Sequence, residues 1–182
     1  MKKIILLPVM LLAFMSFTAC QEDSLDPLPT KVVGQYVTLD ITQATMEFND
    51  IENTAFRGIL DAPGKNVAKY ELFVRRRTPN GVITSDLVLL QTITSFPYEL
   101  NITPAQIAEA LGVDRSVLQI GDVYRFIGYS YDASGRKAGY NNIAAIVRST
   151  ESMKQGYKWS ADVKAEINPQ DPFNSYAPFS NF

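Results

Sequence analysis

The sequence has no histidine and a single cysteine among its 182 residues. Without imidazole there is no Ser-His-Asp triad and no Cys-His pair. The commonest general base near neutral pH is absent too, along with the usual ligand for zinc or iron. Chemistry on carboxylates alone, such as the two acids flanking a glycosidic bond, survives that exclusion. Yet the 163 residues beyond Ala19 are few for a groove with two of them. The expectation is a protein that is not an enzyme and uses neither cofactor nor metal. One cysteine cannot close a disulfide within the chain, so a hydrophobic core must hold the fold alone. A basic excess is also missing. There are 17 Lys and Arg against 19 Asp and Glu, and 15 against 19 once Lys2 and Lys3 are set aside. Nucleic acid, which needs a clustered basic surface, is therefore not an expected partner. The chain also lacks an apolar run of the roughly 20 residues needed to cross a bilayer core as a helix. Its length suits one domain and hardly two.

What the N-terminus does have is Lys2 and Lys3 followed by IILLPVMLLAFMSF, Ile4 to Phe17, without a charge. A positive start and an apolar stretch of this length are the two parts of a secretory signal, and Pro8 disfavours a lasting anchor helix. Thr18 and Ala19 are small and Cys20 follows directly. This resembles the lipobox of bacterial lipoproteins, with Phe17 where Leu is usual. The resemblance implies that residues 1–19 are removed and that Cys20 is acylated as the first mature residue. Its acyl chains suffice for stable anchoring at ~0.8 kcal/mol per buried CH₂. Residues 20–34 open with CQEDSLDPLP, acidic, proline-punctuated and poor in apolar side chains, and read as a flexible tether. Glu22 and Asp23 just after the cysteine also resemble the surface-export signal of Bacteroidota lipoproteins. That implies an outer-membrane anchor with the domain facing the exterior.

Residues 35–167 read as strands, from alternation of apolar and polar residues between turn signals. YVTLDI sets Val37, Leu39 and Ile41 on one face; TMEF, Thr45 to Phe48, is a short partner strand; AFRGILDA, Ala55 to Ala62, is a third. KYELFVRRR puts Tyr70, Leu72 and Val74 on one face and Glu71, Phe73, Arg75 and Arg77 on the other. LVLLQTI, Leu87 to Ile93, returns after TPNG, and PYELNI extends it past a kink at Pro97. One short helix follows. Thr103 is its N-cap, Pro104 its first residue, and Ile102 and Ile107 have the spacing of a hydrophobic staple. Gly112 supplies the left-handed stop. DVYRFIGYSYDASGR, IAAIVR and YKWSADVKAEI complete the strands. Seven to nine short strands without βαβ alternation predict an antiparallel β-sandwich with one connecting helix.

The order TPAQIAEALGV, a loop, then GDVYRFIGYSYDASGR resembles the small lipoproteins encoded beside SusC/SusD-type transporters in Bacteroidota. Their immunoglobulin-like domains show a similar short helix ending in "alG", then "G-D-x-x-x-F" and a strand ending in "DGR". The matching positions are Leu111-Gly112, Gly121-Asp122, Phe126 and Gly135-Arg136, within about residues 36–140. The likeness implies a non-enzymatic accessory subunit of a nutrient-uptake complex, with the transporter barrel and its lid lipoprotein as partners and a glycan or peptide as cargo. A stand-alone glycan-binding module is the alternative, and an adhesin-like component a distant third.

Several side chains invite closer weighing. Tyr157 and Trp159 lie two apart, hence on one strand face, where they either anchor the core or stack a sugar. RRR, Arg75 to Arg77, is read as a solvated strand end, with phosphate or acidic-glycan contact as the other option. DASGR, Asp132 to Arg136, is a turn, not a calcium loop. The tail from Asn168 to Phe182 carries three prolines and the rings Phe173, Tyr176, Phe179 and Phe182. It either straps a sheet edge or docks its rings on a partner.

Overall fold

The computed structural model describes residues 34–114 and 119–165. The signal, Cys20, the tether and the tail with Phe173, Tyr176 and Phe179 lie outside the described residues. The chain forms β1 (Thr38–Gln43), β2 (Thr45–Glu47), β3 (Phe56–Asp61), β4 (Lys69–Arg77), β5 (Val88–Ile93) and β6 (Tyr98–Ile102). Then come α1 (Pro104–Leu111), β7 (Val123–Tyr131), β8 (Lys137–Gly139), α2 (Ala145–Ser149) and β9 (Lys158–Lys164). The fold is mainly β. A three-stranded sheet has the order β1-β3-β6, and a six-stranded one has β2-β9-β7-β4-β5 with β8 also beside β7. All pairings are antiparallel except β2 with β9. TMEF thus adds a parallel edge where a purely antiparallel sandwich was expected.

Alternation decides which side of each strand enters the core. On β4 the buried residues are Tyr70, Leu72, Val74 and Arg76; on β7 they include Tyr124 and Phe126; on β9 they are Trp159, Ala161 and Val163. Val37, Leu39, Phe56, Leu60, Leu100 and Ile102 come from the smaller sheet's side, and all belong to one hydrophobic cluster. Three rings bridge the two sheets. Phe126 and Trp159 stack with centroids 5.6 Å apart, and Phe56 lies 6.1 Å from Trp159 and 5.5 Å from Phe126.

The helix α1 has the ends its sequence announces. Thr103 accepts from the Gln106 backbone N–H while the Gln106 side chain accepts from Thr103 N–H, a complete capping box. Gly112, at φ 65°, donates to Glu109 O, and Val113 donates to Ala108 O, the paired bonds of a Schellman stop. Ile102 and Ile107 are both buried.

Three expectations need correction. IAAIVR is not a strand; its core, Ala145–Ser149, is α2. β7 is already paired on both sides, by β4 on one and by β9 and β8 on the other. Among the described residues there are accordingly two α-helices, not one. PYELNI does not extend the preceding strand: β5 belongs to the larger sheet and β6 to the smaller, so residues 94–97 carry the chain between sheets. The solvated strand end assigned to RRR does not hold for Arg76: Arg75 and Arg77 lie half-buried on the other face, while Arg76 follows the parity of Val74 into the interior. There its Nε donates to Asp122 Oδ2 at 2.8 Å and its Nη2 to Oδ1 at 3.1 Å. Asp122 is fully buried and also accepts from Gln119 N–H at 2.8 Å and Tyr124 O–H at 3.3 Å.

Candidate functional site

The residues left on the other side of β4, β7 and β9 form the outer face of the larger sheet, and charge collects there. Register sets Arg75 directly opposite Arg125, which in turn faces Ser160, while Ile127 lies between Phe73 and Lys158. Arg77 and Lys164 flank Val123 and Asp162 at one end; Lys69 and Lys137 face Tyr131 at the other. Seven cations thus share this face with three carboxylates, Glu71, Asp162 and Glu47, the last opposite Lys164, although the whole chain has net charge −2. Six of the seven are half-buried, Lys137 being the exposed one.

The two ends are differently satisfied. Lys69 Nζ lies 2.7 Å from Glu71 Oε1, and Tyr131 O–H donates to Glu71 Oε2 at 2.8 Å. The Glu71 carboxyl is held below its ordinary range by the hydrogen bonds from Lys69 and Tyr131, and burial with the Glu71 hydrogen bond pushes Tyr131 up to about 12. Lys137 Nζ sits 3.5 Å from the centroid of the Tyr129 ring, whose other neighbour is Phe73, edge-on at 5.7 Å. Lys158 and Arg148 both approach the Tyr140 ring, at 4.8 and 5.4 Å.

The centre is a zone of cationic repulsion. Arg125 is lowered by desolvation and then by the neighbouring Arg75 and Arg77. Lys158 is lowered by desolvation, then by Arg125 and Arg75. Asp162 is raised by its own burial, against the pull of Lys164 and Arg77. Like charges directly opposite on a sheet are destabilising. Chemically the centre gathers three cations, two guanidiniums and an ammonium, in partly desolvated positions where negative charge nearby is favourable.

Tyr157 and Trp159 do share a face, as their spacing required, but that face is the interior. Tyr157 is fully buried and Trp159 is 6% exposed. The Tyr157 hydroxyl accepts from Val37 N–H at 3.1 Å, lies 3.1 Å from Ser130 Oγ, and donates to the Gln35 carbonyl. Neither ring offers a surface on which a sugar could stack. Cys20, Phe173, Tyr176 and Phe179 lie outside the described residues and are not placed by the structure. Asp132 accepts from the backbone N–H groups of Ser134 and Arg136, both at 2.9 Å, as a turn should. Among the described residues, no three His, Cys, Asp or Glu gather in a way that could hold a metal ion. The sequence singled out Arg75 and Arg77 but missed Arg125 and Lys158, because only strand pairing brings residues 33 or more positions apart onto one face. No protein-family model, no curated protein and no solved structure matches the chain.

Proposed function

We propose that this protein is a non-enzymatic accessory lipoprotein of a SusC/SusD-type nutrient-uptake complex. In this reading Cys20 holds it to the outer membrane and its immunoglobulin-like β-sandwich faces the exterior. One observation carries the reading: Phe17-Thr-Ala-Cys20 ends a charged-then-apolar leader and is followed by an acidic, proline-punctuated tether. The turn motifs that prompted the family likeness have structural work in the fold. Gly121, at φ 86°, turns the chain into β7, Asp122 holds Arg76, and Phe126 joins the three-ring stack. The alternative, a surface glycan module built on Tyr157 and Trp159, loses its platform because both rings are buried.

The test is Cys20→Ala in the producing cell. The variant is expected to lose lipid labelling and to be released from the membrane or to persist as precursor. Full retention in the outer membrane after a high-salt wash would refute the anchor. Co-purification of the wild-type chain with a stoichiometric barrel partner from detergent-solubilised membranes tests the accessory role.

A further inference from the structure

One end of the domain is apolar where it meets solvent. Here β9 runs out and its last carbonyls are taken by neighbours: Gly121 N–H donates to Val163 O at 2.8 Å, Phe48 N–H to Lys164 O at 2.8 Å and Asn49 N–H to Ala165 O at 3.3 Å. Beyond Gly121 lies the tip of the β4–β5 hairpin, with Pro79 within 3.1 Å of where a Cβ on Gly121 would stand. Val82 accepts from Thr78 N–H and Ile83 bridges to Arg77 at that tip. Phe48, Ile120, Val82 and Ile83 are thus gathered at one end, each at least 36% exposed. They are four of the nine large apolar side chains exposed among the described residues. Clustered exposure of that kind marks a surface that something covers.

The chain supplies its own cover. The 17 residues 166–182 follow Ala165 and so start in the middle of this end, between Phe48 and Ile120. The other terminal segment does not: the chain enters at Gln35, whose carbonyl accepts from Ser130 Oγ at 3.0 Å, at the far end of β7. In 166–182 the rings Phe173, Tyr176, Phe179 and Phe182 recur at every third residue, and Pro169, Pro172 and Pro178 keep the same period one place earlier. Polyproline II has three residues per turn, a register that sets all four rings along one side and the prolines along another. Each proline fixes its own φ and restricts the residue before it to extended backbone, which lowers the entropy lost on docking.

We propose that residues 166–182 fold back as a polyproline II strap whose stripe of rings seats on Phe48, Ile120, Val82 and Ile83. The reach suffices. From β9 the turn before β7 and the hairpin tip beyond β4 lie one and two strand positions away, about 5 and 10 Å. The residues from 166 to 172 alone cover about 22 Å in this conformation. Docking within one chain costs loop closure, modest for so short a segment, where a separate partner would lose its free translation and rotation. The rings are then spent inside the chain and are not offered to a transporter. The inference does not rest on the lipoprotein reading.

The full chain, purified in detergent, is digested with chymotrypsin under native conditions, and release of tail peptides is followed by mass spectrometry. Cleavage after Phe173, Tyr176 and Phe179 needs the undocked tail, so its rate reports the open fraction. That rate is expected to be roughly tenfold or more below that of a synthetic 166–182 peptide, at every protein concentration. Val82→Ser/Ile83→Ser/Ile120→Ser is expected to bring it to the peptide's rate in a domain still folded by circular dichroism. Ile59→Ser, at an exposed site on the smaller sheet, leaves the protection intact. A second arm leaves this end of the domain unaltered. Phe179→p-benzoylphenylalanine, irradiated in the producing cell, is expected to crosslink within the chain to peptides holding Phe48, Ile120 or Pro79–Ile83. The proposal is overturned if the full chain is cut as fast as the peptide, or if Ile59→Ser frees the tail as the triple variant does. Crosslinks elsewhere on the domain overturn it too. So do protection that appears only as concentration rises or crosslinks between two chains, which make the occupant a second copy, and crosslinks to another membrane protein, which make it a partner.

Discussion

Arg76 and Asp122 should behave as a unit whose halves cannot be separated. Asp122 is fully buried and the Arg76 side chain is 8% exposed. The two share bonds of 2.8 and 3.1 Å, and the carboxylate takes two further donors, Gln119 N–H and Tyr124 O–H. Removing either partner leaves a charge stranded in the interior, at a cost of about 3–5 kcal/mol. Arg76→Met should sit at the low end, since the orphaned carboxylate keeps the Gln119 and Tyr124 donors. Asp122→Ala should sit at the high end, since it strands the guanidinium and also withdraws the acceptor from both donors, roughly 1 kcal/mol or more for each. The double variant removes both charges. It should cost less than the more damaging single change, not the ~6–10 kcal/mol that simple addition of the two gives. Urea unfolding of the four proteins reads this directly, as midpoint shifts at constant slope. Additive single effects, or single effects below ~1 kcal/mol, would refute the picture of a desolvated, mutually dependent pair.

Gly128→Ala should destabilise by ~2–5 kcal/mol, combining overpacking with a lost buried hydrogen bond. A Cβ there would collide with the Tyr70 hydroxyl, which donates to the Gly156 carbonyl; a neutral result in thermal melts would show that Tyr70 can move aside freely. Trp159→Ala should cost ~3–5 kcal/mol, because the indole packs against both Phe126 and Phe56, and an unchanged melting temperature would remove it from the core. At high pH the domain should unfold as its buried tyrosines are forced to ionise. Tyr70, Tyr124 and Tyr157 are all raised above the ordinary 10.0, desolvation being the first cause in each. A group raised in the folded state contributes stability that is complete below its unfolded pKa and lost as pH rises through the folded one. Stability should therefore hold up to about pH 10 and fall beyond it, with part of the tyrosinate absorbance appearing only on unfolding. Smooth ionisation of every tyrosine near 10 in a still-folded domain would contradict the burial.

The sequence alone determined whatever depends on neighbours along the chain. Alternation placed Val37, Leu39, Tyr70, Leu72 and Val74 on buried faces, and Thr103, Pro104 and Gly112 delimited α1 to the residue. Such signals are local: period two in a strand and orphan backbone groups at a helix end need only a few residues to read. The tertiary structure decided everything that depends on which strand lies beside which. Parity put Tyr157 and Trp159 on one face, but only the second sheet made that face the interior. Parity turns Arg76 inward with Val74, but the carboxylate that holds it there, Asp122, lies 46 positions away. IAAIVR fits a strand by composition, yet its residues from Ala145 onward lie in a helix and pair with neither sheet. The basic face exists because β4, β7 and β9 align Arg75, Arg125 and Lys158, drawn from three distant segments. Each of those residues has an ordinary sequence context, and their repulsion arises only from register.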